Sequence, residues 1–250
     1  MVSPKEALRL ILKNTRSLRA QDVPLGEAAG RVVAKDVFAR EDLPPFDSSA
    51  MDGFAVRARD CAATSPQTSV SLNVGQTLRA GALAAVRLRP GQAARIMTGA
   101  PVPRGADAVV MKEYTFENGS GRVNILRPPK RGQHIRCYGE DVRRGELILK
   151  AGTLIRPYEV ALLAAQGIKK IPVIARPKVA LLATGDELVE SSRRLTAGKI
   201  RNSNGPALAA ALSRWGAVPL YQGIAPDDPG PLKAALRRAL GSCDMLLVSG

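Results

Sequence analysis

Hydrophobic and polar positions follow two different periods along this chain, and the changes between them divide it into parts. Near the start, Leu8, Ile11 and Leu12 recur at helical spacing. They follow Ser3–Glu6, which combines a capping box with a proline at the first helical position. This pattern predicts an amphipathic helix from residue 4 to about residue 17.

From residue 54 to about residue 150 the pattern changes to short apolar or alternating runs separated by Gly and Pro. Residues 70–74 alternate with period two, which is typical of a strand with one buried face. Further strand-like runs lie at residues 93–97, 108–111, 123–126 and 147–149. The spacing of these runs and their turn residues predicts a compact, β-barrel-like domain.

Beyond this β-rich part, helical and strand-like patterns alternate. An apolar helix is predicted at 157–166, stopped by Gly167. After Pro177 the order is strand, helix, strand, helix, strand, at residues 179–183, 204–215, 218–224, 228–240 and 244–248. The first of these strands is continuously apolar, as in a strand buried on both faces. The order predicts a parallel, doubly wound sheet with right-handed crossovers.

Composition adds limits on the core and on the partners. Aromatic residues make up 4% of the chain, so the core must be aliphatic, and Trp215 is predicted to belong to it. The formal net charge is +15, which attracts anions in general. Because the basic residues are spread along the chain and form no basic helix or basic-aromatic strand face, an anionic small substrate is favoured over nucleic acid.

Cysteine usage and the N-terminus bear on the compartment. Cys61, Cys137 and Cys243 are odd in number and widely spaced, which fits neither a disulfide framework nor a zinc site and suits a reducing cytosol. The chain begins without a signal-peptide pattern, and no apolar run reaches the length of a membrane span. A cytoplasmic protein without membrane contact is expected. His134, the single histidine, is predicted to be a surface or strand residue rather than a catalytic base.

Candidate chemistry lies in two places. One is Pro44–Val56, which carries Asp47 and Asp52 in a run of small and hydroxyl residues behind a double proline. Without other support, its acids could equally cap turns of a surface loop. The other is the carboxyl edge of the predicted sheet, because ligands of such sheets bind beyond the carboxyl ends of the strands.

Three segments fall at that edge: Thr184–Glu187, Ala225–Asp228 and Ser249–Gly250. Their small residues let backbone N–H groups approach an anion, and their acids could hold Mg²⁺. Asp228 precedes a proline and could equally be a helix N-cap. No Gly-x-Gly-x-x-Gly or Walker A motif follows a strand, which disfavours a dinucleotide or P-loop site.

Several motifs occur in a fixed order and carry a resemblance. They are Pro44–Val56, Arg95–Pro103, Gly105–Val110, Gly139–Val142, Ala183–Leu188, Ile200–Asn204 and Asp227–Pro229. In this order they resemble the molybdopterin molybdenumtransferase family, the molybdenum insertases, which include the E domain of gephyrin. The resemblance extends over essentially the whole chain.

The resemblance implies a multi-domain α/β plus β architecture, in which a helical domain holds an inserted β-barrel-like domain and a partial doubly wound parallel α/β domain follows. The expected boundaries are 1–45 and 140–176 for the helical and linker part, 46–139 for the inserted part and 177–250 for the α/β part. It also implies insertion of molybdate into adenylated molybdopterin with release of AMP, assisted by Mg²⁺. A homodimer is implied, with the β domain of one subunit facing the sheet domain of the other.

The matched motifs imply the site residues. The implied catalytic acids are Asp52, Asp141, Glu187 and Asp228. The implied substrate-binding residues are Thr98, Thr184, Gly185, Asp186, Arg201, Ser203, Asn204, Ser249 and Gly250. Arg201 is the candidate contact for the oxyanion, since a fixed cation suits molybdate. The candidate metal ligands are Asp186, Glu187 and Asp228.

The chain also departs from the family. Family members continue beyond the position of Gly250, so part of the nucleotide site is expected to lie outside this chain. They often have Asp at the position of Asn202 and Arg at that of Gly205. Two alternatives stay open: a molybdopterin adenylyltransferase, which would lack the β domain, and a non-catalytic scaffold that dimerises without turnover.

Overall fold

The structure, a computed structural model, describes residues 2–81, 87–117 and 119–250. The helices of these residues are α1 (Pro4–Asn14), α2 (Pro157–Ala165), α3 (Asn204–Arg214) and α4 (Pro229–Leu240). Short 3-10 helices occupy Leu25–Glu27, Ala58–Cys61 and Lys112–Tyr114. In the described part of the chain no helix is both long enough and apolar enough to cross a membrane.

The strands of the described residues are mostly short. They are β1 (Ala20–Pro24), β2 (Val37–Phe38), β3 (Ser48–Ser49), β4 (Gly53–Val56), β5 (Val70–Leu78), β6 (Gln92–Ile96), β7 (Ala108–Met111), β8 (Thr115–Glu117), β9 (Arg122–Ile125), β10 (Ile135–Arg136), β11 (Leu147–Leu149), β12 (Lys170–Ile174), β13 (Lys178–Thr184), β14 (Leu188–Val189), β15 (Ile200–Arg201), β16 (Val218–Ala225) and β17 (Met245–Ser249). Every strand-like run singled out in the sequence lies within or overlaps one of them.

The chain forms two compact units, and one is inserted into the other. The inserted unit is Phe38–Ile148, and the outer unit consists of the segments Met1–Val37 and Leu149–Gly250. A β-rich insertion was expected, although its predicted limits were 46 and 139. The finer division into a helical part and a separate α/β part stays a prediction.

The inserted unit is built on a curled, half-barrel sheet of six strands in the order β7-β4-β6-β5-β9-β8. All neighbours are antiparallel except β5 and β6, which are parallel. Both faces of the sheet are covered. Strand β4 shows this best, since Phe54 and Val56 lie in one core cluster and Ala55 in the other. All four residues of β4 are buried, so the strand fixes the position of Asp52, which immediately precedes it.

The outer unit contains the predicted parallel sheet, in the order β16-β13-β17. Alternate side chains of β13 reach opposite cores, as the period of a strand requires. Val179 and Leu181 pack with Leu212 of α3, whereas Leu182 packs with Ala235 of α4. The two crossover helices therefore cover opposite faces of this three-stranded sheet.

Helix boundaries follow the local signals closely. The Ser3 hydroxyl accepts the Glu6 N–H at 3.2 Å, so the predicted N-cap is confirmed, although α1 ends at Asn14 rather than near residue 17. Gly167 follows α2 with a φ of 66°, a conformation that glycine adopts at little cost. Ahead of α4, the Asp228 carboxylate accepts the Gly230 N–H at 3.0 Å and caps that helix.

The prediction that Trp215 belongs to the core is wrong, because its side chain is 75% exposed. Trp215 is the residue just beyond α3, where the chain leaves the helix. The face of α3 that meets the sheet is filled by Leu208 and Leu212. Helical spacing predicted the direction of this face, but it could not show where the helix ends.

Candidate functional site

The loop before Asp52 is held by neighbouring backbone within the inserted unit. Strand β3 pairs with β10, and the Gly99 N–H donates to the Ser49 carbonyl at 2.8 Å. The Ser49 hydroxyl turns back to the Met51 carbonyl at 2.5 Å, which closes a local turn. The two motifs that contain Asp52 and Thr98 are therefore brought together.

The carboxylate of Asp52 is bound twice by one residue. The backbone N–H and the side-chain hydroxyl of Thr98 both donate to Asp52 Oδ1, each at 2.8 Å. These two bonds, the backbone one first, lower the pKa of Asp52 below its ordinary value of 3.8. Asp52 is therefore an oriented, ionised carboxylate at neutral pH, and it lies exposed on the surface of the unit.

Replacing Thr98 by valine is expected to raise the pKa of Asp52, although not fully, because the backbone donor remains. A depressed carboxyl pKa contributes stability at pH values above the unfolded pKa, and this contribution is lost as the pH falls through the folded pKa. The variant should therefore lose stability relative to the wild type near neutral pH and less so in acid. A carboxyl-carbon NMR titration of Asp52 measures the shift. Thr77→Val, at an exposed position of β5, is the control and should leave that pKa unchanged.

Asp141 lies on a different loop of the inserted unit. Its carboxylate pairs with the Arg136 guanidinium, whose Nε also donates to Glu140 Oε1 at 3.2 Å. Glu140 and Asp141 together raise the pKa of Arg136. Within the described residues no hydrogen bond or ion pair joins Asp141 to Asp52. The structure thus orients the two implied acids separately.

In the outer unit, the three parallel strands end at one edge. Thr184 stands opposite Ala225 in β16, and its neighbour Ala183 stands opposite Ser249 in β17. Gly250 follows at once, and a Cβ on it would lie 3.1 Å from Thr184 Oγ1. The three segments predicted to meet at the carboxyl ends of the strands do meet there.

Two carboxylates connect the first residues beyond these strands. The Asp186 N–H donates to Asp227 Oδ2 at 3.4 Å, and the Asp227 N–H donates to Asp186 Oδ1 at 3.3 Å. Asp227 was not among the predicted site residues. The sequence position could have indicated it, because Asp227 lies two residues after the end of β16, just as Asp186 lies two residues after the end of β13.

Glu187 lies directly over Gly185. A Cβ on Gly185 would stand 2.5 Å from Glu187 Oε2, so the carboxylate occupies the space that any other residue would fill. The loop is held from the other side as well, since Lys199 Nζ donates to the Asp186 carbonyl at 2.5 Å and the Ile200 N–H donates to the Glu187 carbonyl at 2.9 Å. These bonds hold the backbone of the loop, and the absence of a side chain at Gly185 leaves room for the Glu187 carboxylate.

Arg201 uses its guanidinium on its own loop. Its Nε donates to the Ser191 carbonyl at 3.2 Å, and one of its terminal nitrogens to the Arg193 carbonyl at 3.4 Å. It is exposed, and among the described residues it forms no ion pair with a carboxylate. The residue predicted to contact the oxyanion is therefore placed as a structural support for the loop.

The start of α3 is organised by Asn202 rather than by Ser203. Asn202 Oδ1 accepts the Gly205 N–H at 3.0 Å, and its Nδ2 donates to the Tyr221 hydroxyl at 2.8 Å. A Cβ on Gly205 would lie 2.9 Å from both Asn202 and the Tyr221 ring. The two positions at which this chain departs from the resemblance thus fit each other. Ser203 and Asn204 open the helix, and the Ser203 side chain makes no capping bond.

The acids at the carboxyl edge of the parallel sheet are the candidate ligands for Mg²⁺. In the described ranges no group of three or more His, Cys, Asp or Glu side chains could hold a metal ion. Mg²⁺ is commonly bound by one or two carboxylates, with water and phosphate oxygens completing its shell. Asp186 and Asp227 provide two carboxylates at the same edge of the sheet, each accepting the backbone N–H of the other residue, whereas Asp228 caps α4. Asp186 and Asp227 thus offer ligands of the type that Mg²⁺ binds, and a Mg²⁺ site at this edge stays a prediction.

Two known protein families match this chain. Residues 2–167 match the family described as "MoeA N-terminal region (domain I and II)". The chain belongs to the MoeA family. Residues 180–250 match a second description, "Probable molybdopterin binding domain", so the carboxyl edge of the parallel sheet in this MoeA chain lies within that match.

Curated relatives agree with this assignment. The chain is 40% identical over 250 residues to molybdopterin molybdenumtransferase 2 of Mycobacterium tuberculosis. The match covers 100% of this chain and 62% of that protein. It is 40% identical to molybdopterin molybdenumtransferase of Bacillus subtilis, over 98% of this chain and 58% of the relative. This MoeA chain therefore spans about three fifths of the length of these relatives.

A solved structure extends the agreement to the fold. The molybdopterin biosynthesis MoeA protein from Pyrococcus horikoshii OT3 matches with a TM-score of 0.90 and 38% identity. The match covers 100% of this chain and 66% of that one. The α/β fold of this MoeA chain is thus that of a known MoeA structure.

Proposed function

We propose that this chain acts in molybdenum cofactor biosynthesis as a molybdopterin molybdenumtransferase, inserting molybdate into adenylated molybdopterin with release of AMP. The observation that carries the proposal is the match of nearly all of this chain, at 40% identity, to about three fifths of two proteins of that name. The carboxyl edge of the parallel sheet supports it. Small residues, hydroxyls and acids converge there in the part matched to molybdopterin binding.

The proposed reaction cleaves a phosphoanhydride, which requires positioning and charge stabilisation more than covalent chemistry from the protein. Thr184, Gly185, Ser249 and Gly250 would bind the pterin nucleotide through their N–H and hydroxyl groups. Bound Mg²⁺ would neutralise developing negative charge on phosphate oxygens. Its proposed ligands are Asp186 and Asp227, because each carboxylate accepts the backbone N–H of the other residue and both therefore lie at the same edge of the sheet.

The acids are assigned by what holds them. Glu187 is the proposed acid at the cleaved bond, since its carboxylate lies in the space that the lack of a Cβ at Gly185 leaves open. Asp52, oriented by Thr98, and Asp141, paired with Arg136, are the proposed functional acids of the inserted unit. Asp228 acts by capping α4 and thereby fixes the adjacent Asp227.

The remaining proposed contacts lie on the loop before α3. Ser203 and Asn204 are proposed to contact the pterin nucleotide. Arg201 is proposed to meet molybdate, and to do so it must release the carbonyl oxygens of Ser191 and Arg193. Both bonds are longer than 3 Å, so their loss is inexpensive.

Glu187→Gln is expected to reduce AMP release by about 10²- to 10⁴-fold, because the amide keeps the shape of the carboxylate but removes its charge and its capacity to accept a proton. The assay supplies adenylated molybdopterin, molybdate and Mg²⁺ and measures AMP by chromatography. The assay uses the polypeptide at the length at which its own cell produces it.

Glu113→Gln, at an exposed position of the inserted unit, is the matched control and should retain wild-type AMP release. Wild-type activity in Glu187→Gln would contradict the role of Glu187. A wild-type protein that binds adenylated molybdopterin and dimerises but releases no AMP would contradict the enzyme proposal and favour a scaffold.

A cytoplasmic homodimer is proposed as the working form. The resemblance supports it, since it implies that the β domain of one subunit completes the site of the other. A mixed dimer of one Asp52→Ala subunit and one Glu187→Ala subunit is then expected to regain activity at one of its two sites. Purified mixed dimers and both parent variants are compared by AMP release. Mixed dimers as inactive as both parents would argue against shared sites.

A further inference from the structure

A groove of about 940 Å³ opens within the outer unit, at the amino ends of the parallel strands. Lys178, Val218 and Asp244 line it where β13, β16 and β17 begin. The Val218 N–H donates to the Pro177 carbonyl and the Asp244 N–H to the Lys178 carbonyl, both at 2.8 Å. The seven residues of β13 separate this groove from the carboxyl edge by about 20 Å.

The side chains that line the groove are unevenly charged. Arg19, Arg31, Arg176 and Lys178 are cationic, and Asp244 is the one carboxylate among the described lining residues. Asp244 Oδ2 already accepts the Lys178 N–H at 2.8 Å. In the described part of the chain none of the four cations forms an ion pair with a carboxylate, although six arginines elsewhere do. The groove therefore carries an excess of positive charge, four cations against Asp244 in its lining and Glu27 near Arg31.

Arg31 is the fixed member of this cluster. Its residue is only 7% exposed, and one terminal nitrogen donates to the Ile174 carbonyl at 3.0 Å. Burial and the nearby charge of Arg176 lower the pKa of Arg31 and the charge of Glu27 opposes them, although a guanidinium remains protonated at neutral pH. Two like charges held close together beside a cavity would be stabilised by an anion placed between them.

Strand pairing holds the other arginines in place. In the antiparallel pair β1–β12, Ala20 stands opposite Ile174, and the Ala175 N–H donates to the Arg19 carbonyl at 3.0 Å. Arg19 and Arg176 are thus held on adjacent ends of paired strands. The backbone fixes where these exposed side chains begin, and a bound anion must still order both guanidinium groups.

We propose that this basic groove binds a multiply charged phosphate anion, either inorganic pyrophosphate or the phosphate chain of a nucleotide. Guanidinium forks match phosphate oxygens in pairs, and the cavity is within the size range of small-ligand sites. The site lies at the opposite end of the sheet from the proposed active site, and it does not depend on the proposed function.

The test is titration calorimetry of the whole protein with inorganic pyrophosphate, and in parallel with ATP. Saturable binding is expected, and the double variant Arg19→Gln/Arg176→Gln should weaken it at least tenfold, because two charge-assisted contacts are lost. ATP bound tighter than pyrophosphate identifies a nucleotide site. Equal affinities identify a site for the phosphates alone. Arg31→Gln should weaken binding as well and is measured separately, since it also loses the bond to Ile174.

Arg214→Gln/Arg238→Gln is the matched control, because it removes the same charge from exposed helix positions of the same unit. It should retain wild-type affinity within about twofold. Absence of saturable binding to the wild type overturns the proposal, and so does equal weakening in the control pair. Binding of duplex nucleic acid in preference to both phosphates, with steep salt dependence, would also overturn it.

Discussion

Replacing Gly53 by alanine is expected to lower the free energy of unfolding of the inserted unit by about 3 kcal/mol or more. A Cβ at this position would lie 1.9 Å from the Val110 carbonyl oxygen and 3.0 Å from Met111 Cα. Both atoms belong to the backbone of β7, which pairs with β4 at this register. A backbone neighbour cannot rotate away, so the two strands must separate.

The consequences of that separation extend in two directions. All residues of β4 are buried and contribute to both cores of the sheet, so a shift of this strand disturbs packing on each face. Asp52 immediately precedes Gly53, and its two bonds from Thr98 require the present position of the loop. The variant should therefore also lose the depressed pKa of Asp52.

Gly75→Ala is the matched control for this prediction. Gly75 lies in β5 of the same sheet, an added Cβ would meet nothing within 4 Å, and its φ is not positive. Alanine there should change stability by about 1 kcal/mol or less, in either direction. Urea unfolding, followed by far-UV circular dichroism, compares the wild type, Gly53→Ala and Gly75→Ala. Equal midpoints for Gly53→Ala and Gly75→Ala would show that the close approach does not constrain the sheet.

Gly185→Ala is expected to reduce AMP release about 100-fold through displacement of Glu187, if Glu187 has its proposed role. The added Cβ would lie between 2.5 and 2.8 Å from three atoms of the Glu187 carboxyl group. This group is the end of a flexible side chain, so it can move away and the fold survives. Gly185 also has a φ of 144°, which adds about 1–2 kcal/mol of backbone strain for alanine.

Gly198→Ala separates these two effects. Gly198 lies in the same unit with a φ of 76°, and a Cβ there would meet nothing within 4 Å. It should lose stability through backbone strain but keep its AMP release. Thermal unfolding and the AMP assay are measured on both variants. Retention of activity in Gly185→Ala, or an equal loss in Gly198→Ala, would contradict displacement of the carboxylate as the cause.

Short-range patterns in the sequence were sufficient for most of the local structure. The strands β13, β16 and β17 and the helices between them follow from runs and periods that neighbouring residues determine. The parallel direction of the three strands then follows from the helices that connect them, with right-handed crossovers. The same logic placed Thr184 and Ser249 at one edge of the sheet, and the structure has them there.

Contacts between distant segments were beyond this reasoning. The link between Asp186 and Asp227 depends on how two loops curve after their strands, and the support that Arg201 gives to Ser191 depends on the path of one long loop. The exposure of Trp215 depends on the residue at which α3 ends. None of these has a periodic signature, because each arises from side-chain geometry that only the folded backbone supplies.

The sequence alone therefore determined the main helices, the strands of the parallel sheet and the family resemblance, since these rest on local periodicity and on ordered motifs, whereas it did not predict strands β1 and β12. Only the tertiary structure decided the close approach of Gly53 to Val110, the twofold contact of Thr98 with Asp52 and the gathering of Arg19, Arg31 and Arg176 around one groove. The physical reason is the same for all three. Strand register brings residues from far apart in the chain within a few ångströms, and register is fixed by the packing of the whole sheet.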